Sequence, residues 1–154
     1  MRPTDFVDNN PKFSIVNYFS TPRLGQGIFF DRFGNVRTTF TAKLNGRLEG
    51  STLILDEVLT YGNGESLNRT YVIKPLSQGL FSVECPDLVE PGTIEQVGNV
   101  LRWKYRLKQE IDGSVWRLKF DDWMFLQPDG ETVINRAKAM KFGVEIGEVI
   151  MSVR

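Results

Sequence analysis

Hydrophobic and polar positions alternate with a period of two along most of this chain. One set of alternate positions near the start holds Val36, Thr38, Phe40, Ala42 and Leu44, and the intervening set is polar. Successive side chains of a β-strand point to opposite faces, so this pattern indicates strands with one dry face and one wet face. Turn signals separate these segments, and they are Phe33-Gly34-Asn35, Asn45-Gly46, Gly62-Asn63-Gly64, Asp112-Gly113 and Pro128-Asp129-Gly130.

Strands of this kind must bury their apolar faces by closing into a barrel or by stacking as two sheets. We predict an all-β fold, an antiparallel up-and-down β-barrel of about 8–10 strands, with a sandwich as the alternative. The length fits a single domain over residues 1–154, with 1–22 as an N-terminal extension or short helix. A short helix is expected within 4–19, and residues 86–98 are expected to form a loop or a plug.

The most regular alternation predicts a hairpin around Asp112-Gly113, between two segments in which apolar and cationic residues alternate. A two-residue turn keeps the two faces separate, since it pairs Leu107 with Leu118. The same register places Asp122 opposite Trp103 on the apolar face. A carboxylate there must be paired, hydrated or protonated, because an isolated buried charge is strongly disfavoured.

Loop chemistry predicts arginine partners for two interior acids. A three-residue Pro-Asp-Gly loop would pair Asp122 with Arg136, and a register one residue different would offer Asn135 instead. A three-residue Gly-Asn-Gly loop earlier in the chain would pair Glu57 with Arg69. Each of the two hairpins is therefore expected to place an acid–arginine pair among apolar side chains.

Composition excludes several kinds of chemistry. The chain has 154 residues, with 19 Lys and Arg, 19 Asp and Glu, one cysteine and no histidine. Cys85 cannot form a disulfide within the chain, and nucleophile systems or zinc sites that need histidine are excluded. No metal and no cofactor is expected, and catalysis is not favoured. Zero net charge argues against a nucleic-acid partner.

The outer face of the predicted hairpin carries a cationic stripe. Its members are Arg102, Lys104, Arg106, Lys108, Arg117 and Lys119. Such a stripe could meet an acidic partner or lipid headgroups. A solvated face, balanced by neighbouring acids, is the simpler interpretation.

The N-terminus shows neither the charged start nor the apolar run of a secretory signal, and no stretch is long and apolar enough for a membrane span. We therefore expect a cytoplasmic protein, or a periplasmic protein or lipoprotein if a signal sequence was removed. The oligomeric state is left open.

Two runs of the chain are especially specific, Phe120-Asp121-Asp122-Trp123-Met124 and Asn135-Arg136. Together with further matches across about residues 3–153, they resemble the bacterial family named domain of unknown function 3833, which is related to lipocalin-like (calycin) barrels. The further matches include Gly27-Ile28-Phe29, Asp31-Arg32-Phe33-Gly34, Leu55-Asp56-Glu57, Gly98-Asn99, Lys141-Phe142-Gly143 and Gly147-Glu148. The resemblance implies a barrel and no assigned activity. Many members resemble lipoproteins with a lipid-attachment cysteine after a signal sequence, and this chain departs from them there.

Together these observations predict a barrel that binds a small apolar or amphipathic ligand inside. An interior arginine, Arg69 or Arg136, would bind an acid head group, since guanidinium pairs with carboxylate and phosphate. A cavity is expected between Tyr71, Trp103 and Tyr105. The alternatives are a structural or protein-interaction module with a filled core and interior ion pairs, and an acid/base enzyme that uses Glu57 and Asp122. The candidate ligand-binding residues are Glu57, Arg69, Tyr71, Trp103, Tyr105, Asp122, Asn135 and Arg136.

Overall fold

A computed structural model describes residues 1–111 and 113–154. It contains ten antiparallel strands, which close into a barrel in the order β1-β10-β9-β8-β7-β6-β5-β4-β3-β2. The predicted all-β barrel is therefore confirmed. The strands are β1 Arg23–Asp31, β2 Val36–Glu49, β3 Thr52–Tyr61, β4 Ser66–Ser77, β5 Leu80–Glu84, β6 Gly92–Val97, β7 Val100–Ile111, β8 Ser114–Leu126, β9 Val133–Lys141 and β10 Val144–Val153.

A short helix closes one end of the barrel. This helix, α1 (Ile15–Phe19), follows a 3-10 turn at Pro3–Phe6, as expected for the N-terminal segment. Its N-terminus is capped by the Ser14 hydroxyl, which accepts a hydrogen bond from the backbone N–H of Asn17 at 3.2 Å. The Tyr18 hydroxyl donates to the Glu131 carbonyl at 2.8 Å and so ties α1 to the β8–β9 connection. We call this the closed end, and the opposite end, formed by hairpins β1–β2, β3–β4, β7–β8 and β9–β10, the open end.

The turn predicted at Asn45-Gly46 is wrong. Both residues lie inside β2, and the chain reverses at Gly50-Ser51 instead. A side chain at position 46 would collide with the backbone carbonyl of Phe19 at the end of α1. Glycine is needed here for the close approach of the helix and not for a turn. The predicted loop at 86–98 is likewise too long, since its second half is strand β6.

Two predicted hairpin registers are confirmed. In β3–β4, Glu57 lies opposite Arg69, as the three-residue loop requires. In β7–β8, Leu107 lies opposite Leu118 and Trp103 opposite Asp122. Asp112 of the predicted two-residue turn lies outside the described residues, although the pairs on either side have the register of such a turn.

The predicted β8–β9 register is wrong by one residue. Asp122 pairs with Ala137, and Arg136 pairs with Trp123 on the outer face. The loop is longer than predicted, because the side chain of Asp129 accepts hydrogen bonds from the backbone N–H groups of two following residues at 2.9 and 2.8 Å. Arg136 therefore points outward, and its guanidinium forms an ion pair with Glu148. The amide of Asn135 occupies the interior instead.

A candidate ligand site inside the barrel

Inward-facing side chains differ in exposure between the two ends of the barrel. Near α1 they are buried, as with Leu53 at 1% exposed and Leu101 at 0%. Towards the open end they are half-buried, and this group consists of Phe40, Glu57, Leu59, Leu67, Tyr71, Tyr105 and Trp116. Water reaches inward-facing side chains only through the interior. These residues therefore line a water-accessible space, which we call the cup.

Asp122 is the buried acid towards the base of the cup. Its carboxylate accepts a hydrogen bond from the Tyr105 hydroxyl at 3.1 Å and another from the side-chain amide of Asn135. The same amide also donates to the Trp123 carbonyl at 2.9 Å. Burial raises the pKa of Asp122 to about 7 and outweighs the two hydrogen bonds, which lower it. The group is therefore poised between its protonated and ionised forms near neutral pH.

Glu57 is the second interior acid. It accepts a hydrogen bond from the Tyr71 hydroxyl at 3.3 Å, and burial raises its pKa despite the nearby positive charge of Arg69. The two acids therefore have the same kind of surroundings, with phenol or amide donors in an interior that disfavours their charge.

The predicted Glu57–Arg69 ion pair is wrong, although the two residues face each other in the register. The guanidinium of Arg69 instead pairs with Asp87 at 3.0 Å and donates to Gln109 at 3.3 Å. Asp87 belongs to the connection between β5 and β6, and its side chain is 40% exposed. A carboxylate in contact with water keeps its charge more easily than a buried one, so Arg69 pairs with Asp87 and not with Glu57.

Trp103 places an unpartnered polar atom beneath the cup. Its side chain is 5% exposed, and its indole N–H is buried without a hydrogen-bond acceptor. The ring meets that of Tyr71 edge to face, with 6.1 Å between the centroids. A buried N–H without a partner costs about 1–3 kcal/mol, so this group is ready for an acceptor from a ligand or from water.

All the predicted site residues except Arg136 face into the barrel. Three of them, Tyr71, Trp103 and Tyr105, were expected to bound a cavity; the two tyrosines line the cup, whereas Trp103 lies packed below it. Sequence reasoning expected Tyr71, Trp103, Tyr105 and Phe120 to line the apolar part of the site, but it did not assign the walls formed by Phe40, Leu59 and Leu67 or the Asp87 partner of Arg69. The wall residues could have been predicted from the strand register, since they occupy the same alternate positions as the predicted site residues. Asp87 could not have been predicted in this way, because it lies in a loop without periodicity.

Neither a metal-ligand cluster nor a membrane-spanning helix occurs within residues 1–111 and 113–154. No three His, Cys, Asp or Glu side chains come together there as a metal ion would require. Over the same residues, no helix has the length and apolar character needed to span a bilayer.

Comparison with known proteins gives a family and a fold. The whole chain, residues 1–154, matches the model of DUF3833, a family described as protein of unknown function, and the chain belongs to that family. No curated protein sequence is significantly similar to it. Among solved structures it is similar to a protein of unknown function of the DUF3598 family from Nostoc punctiforme, with 12% identity and a TM-score of 0.63. The likeness covers 94% of this chain and 49% of that one, so this chain spans about half the length of its structural neighbour.

Proposed function

We propose that this DUF3833 protein is a lipocalin-like barrel that binds one small amphipathic molecule in the cup. Two observations carry the proposal: the half-buried side chains that face into the open end of the barrel, and the buried indole N–H of Trp103 below them, which has no hydrogen-bond partner. Phe40, Leu59 and Leu67 give the cup an apolar wall, and a few convergent polar groups near its base would orient the ligand. Barrels of about this size can enclose one small molecule, and ligand sites commonly combine these two features.

The polar groups of the cup favour a head group without negative charge. An anion would lie near two interior carboxyl groups, Glu57 and Asp122, and would oppose the ionisation of both. The charge of Arg69 is paired with Asp87, one further donor of Arg69 is shared with Gln109, and Arg136 lies outside the barrel. We therefore replace the hypothesis of an acid head group at an interior arginine with a neutral, hydrogen-bonding head, such as an alcohol, an amide or a protonated acid.

A pair of dyes and a pair of variants test this proposal. The neutral dye N-phenyl-1-naphthylamine and the anionic dye 8-anilino-1-naphthalenesulfonate are titrated into the protein, and fluorescence is measured. Leu59→Trp fills the cup from its wall, whereas Thr60→Trp adds the same ring at the adjacent, exposed position. We expect saturable binding of the neutral dye, weakened by about tenfold or more in Leu59→Trp and unchanged in Thr60→Trp.

The competing interpretation is a structural barrel whose interior hydrogen bonds only tie strands together. It predicts that neither dye binds in a saturable way and that solvent extraction of the protein, followed by mass spectrometry, releases no stoichiometric small molecule. It also predicts equal behaviour of the two tryptophan variants. Any saturable binding that distinguishes Leu59→Trp from Thr60→Trp would contradict it. Preference for the anionic dye would leave the cup in place and overturn only the neutral head group.

A further inference from the structure

Five of the exposed large apolar side chains lie at the open end of the barrel. They belong to three hairpins that are neighbours around the barrel, β1–β2, β9–β10 and β7–β8. We call this group the rim; it consists of Phe33, Val36, Val115, Phe142 and Val144, which are 75%, 56%, 70%, 94% and 52% exposed. Large apolar side chains that project together into water mark an interaction surface. The rim surrounds one side of the mouth of the cup.

Phe142 is the member that most needs an explanation. It forms a two-residue turn with Gly143, between the paired residues Lys141 and Val144. Its backbone has φ 51°, in the left-handed region that bulky side chains disfavour and that asparagine or glycine accepts readily. At 94% exposure, the ring gains no core packing that would offset this strain. Its exposure and its backbone conformation together point to a contact outside the barrel.

Cationic side chains surround the same turn. A groove of about 850 Å³ runs beneath it on the outer face of the barrel. Its charged lining consists of Arg106, Arg117, Lys119, Lys138 and Lys141, with Asp121 and Glu145 as the acids. Lys138 pairs with Glu145 at 3.7 Å, and Arg106 pairs with Glu90 at 3.3 Å, so the excess positive charge comes from the remaining three cations.

We propose that the open end docks on the surface of an anionic lipid bilayer. The apolar side chains of the rim can insert below the lipid headgroups, and the cations beside them are attracted to negatively charged lipids. The rim residues come from three separate hairpins, which suits a deformable surface better than the fixed relief of a folded protein. The proposal stands apart from ligand binding, although docking would also open the cup towards the bilayer.

Vesicle co-sedimentation tests the docking surface. The full chain is mixed with vesicles of phosphatidylcholine alone, or of phosphatidylcholine with phosphatidylglycerol, and the bound fraction is measured. Phe142→Asn removes the ring while giving the left-handed position a residue that tolerates it, so the variant should melt no lower than the parent. Leu48→Asn is the matched control, since Leu48 is 49% exposed near the closed end.

We expect binding to the anionic vesicles that weakens in high salt. Phe142→Asn should lower the partition coefficient by about tenfold, and Leu48→Asn should leave it unchanged. The double variant Arg117→Ser/Lys119→Ser should lower binding to anionic vesicles and leave any binding to neutral ones as it was. The proposal is overturned if the parent stays in the supernatant with both kinds of vesicle, or if Phe142→Asn binds like the parent. A concentration-dependent dimer that disappears in Phe142→Asn would likewise overturn it, in favour of a second copy of the chain as occupant.

Discussion

Replacement of Asp122 by asparagine should stabilise the barrel at alkaline pH and change little at acid pH. The carboxyl group is 8% exposed, and burial raises its pKa from an ordinary value of 3.8 to about 7. Asparagine has nearly the same shape. Its carbonyl can accept from the amide of Asn135, and its own amide can donate to the Tyr105 hydroxyl oxygen, which keeps both partners but reverses the direction of the second hydrogen bond.

The sign and size follow from the difference in pKa between the folded and unfolded chains. The unfolded chain releases this proton near the ordinary pKa of 3.8, whereas the folded chain holds it up to about 7. Between these values the folded state binds more protons, so the free energy of unfolding falls as the pH rises. The stabilisation is complete below about pH 4 and lost above about pH 7. A rise of about three pKa units, at about 1.4 kcal/mol each, amounts to roughly 4 kcal/mol as an upper limit.

Urea unfolding, followed by circular dichroism at about pH 4, 6 and 8, measures this effect. The free energy of the variant minus that of the parent should grow from near zero to several kcal/mol over the series. The absence of histidine keeps this window free of imidazole titration, and Glu57, whose pKa is also raised by burial, contributes the same background to both proteins.

Asp121→Asn is the matched control, because it makes the same change one residue away on the outer face. Hydrogen bonds from Arg102 hold the pKa of Asp121 below its ordinary value. Stability from this group is present above the unfolded pKa and lost as the pH falls. The control should therefore lose stability at neutral pH, by less than about 1 kcal/mol for a partly exposed pair. A difference between Asp122→Asn and the parent that is the same at pH 4 and pH 8 would refute the reasoning.

The observed register and the helix contact give further predictions, each checked by thermal and urea unfolding. Asn135→Ala removes the buried donor to Asp122 and should destabilise the barrel by about 2 kcal/mol. Arg136→Ala removes an ion pair on the outer face and should cost less than about 1 kcal/mol. A larger loss in Arg136→Ala than in Asn135→Ala would favour the register that was predicted from the sequence. Gly46→Ala forces a side chain against the Phe19 carbonyl and should destabilise by about 1–3 kcal/mol, with a loss of α1 packing; an unchanged melting temperature would show that α1 does not rest on β2.

The barrel and most interior positions could be predicted because alternation and loop length act together. In β7–β8, a register shifted by one residue would have mixed apolar and cationic faces, so the two-residue turn, which places Trp103 opposite Asp122, was favoured. Alternation did not decide between the two possible β8–β9 registers, since Asn135 and Arg136 offer a polar partner for Asp122 in either one. The deciding feature was the side chain of Asp129, which holds a longer loop through local hydrogen bonds that periodicity does not reveal.

The corrected partners of Asp122 and Glu57 change the chemistry of the interior in the same way, since each acid lacks the ion pair with arginine that was predicted for it. With Arg136 inside, Asp122 would have had a cation at its side, and its pKa would have been lowered. With Asn135 there instead, the carboxyl keeps a donor but gains no compensating charge, so burial determines its pKa. Glu57 likewise faces Arg69 across the strands, yet the cation pairs with the more exposed Asp87 of the β5–β6 connection. The cup therefore holds two protonatable, hydrogen-bonded acids, Asp122 and Glu57, neither of which is in an ion pair. Its stability, and by our proposal its affinity for a neutral head group, should decline together as the pH rises towards and past about 7, when Asp122 takes up its charge.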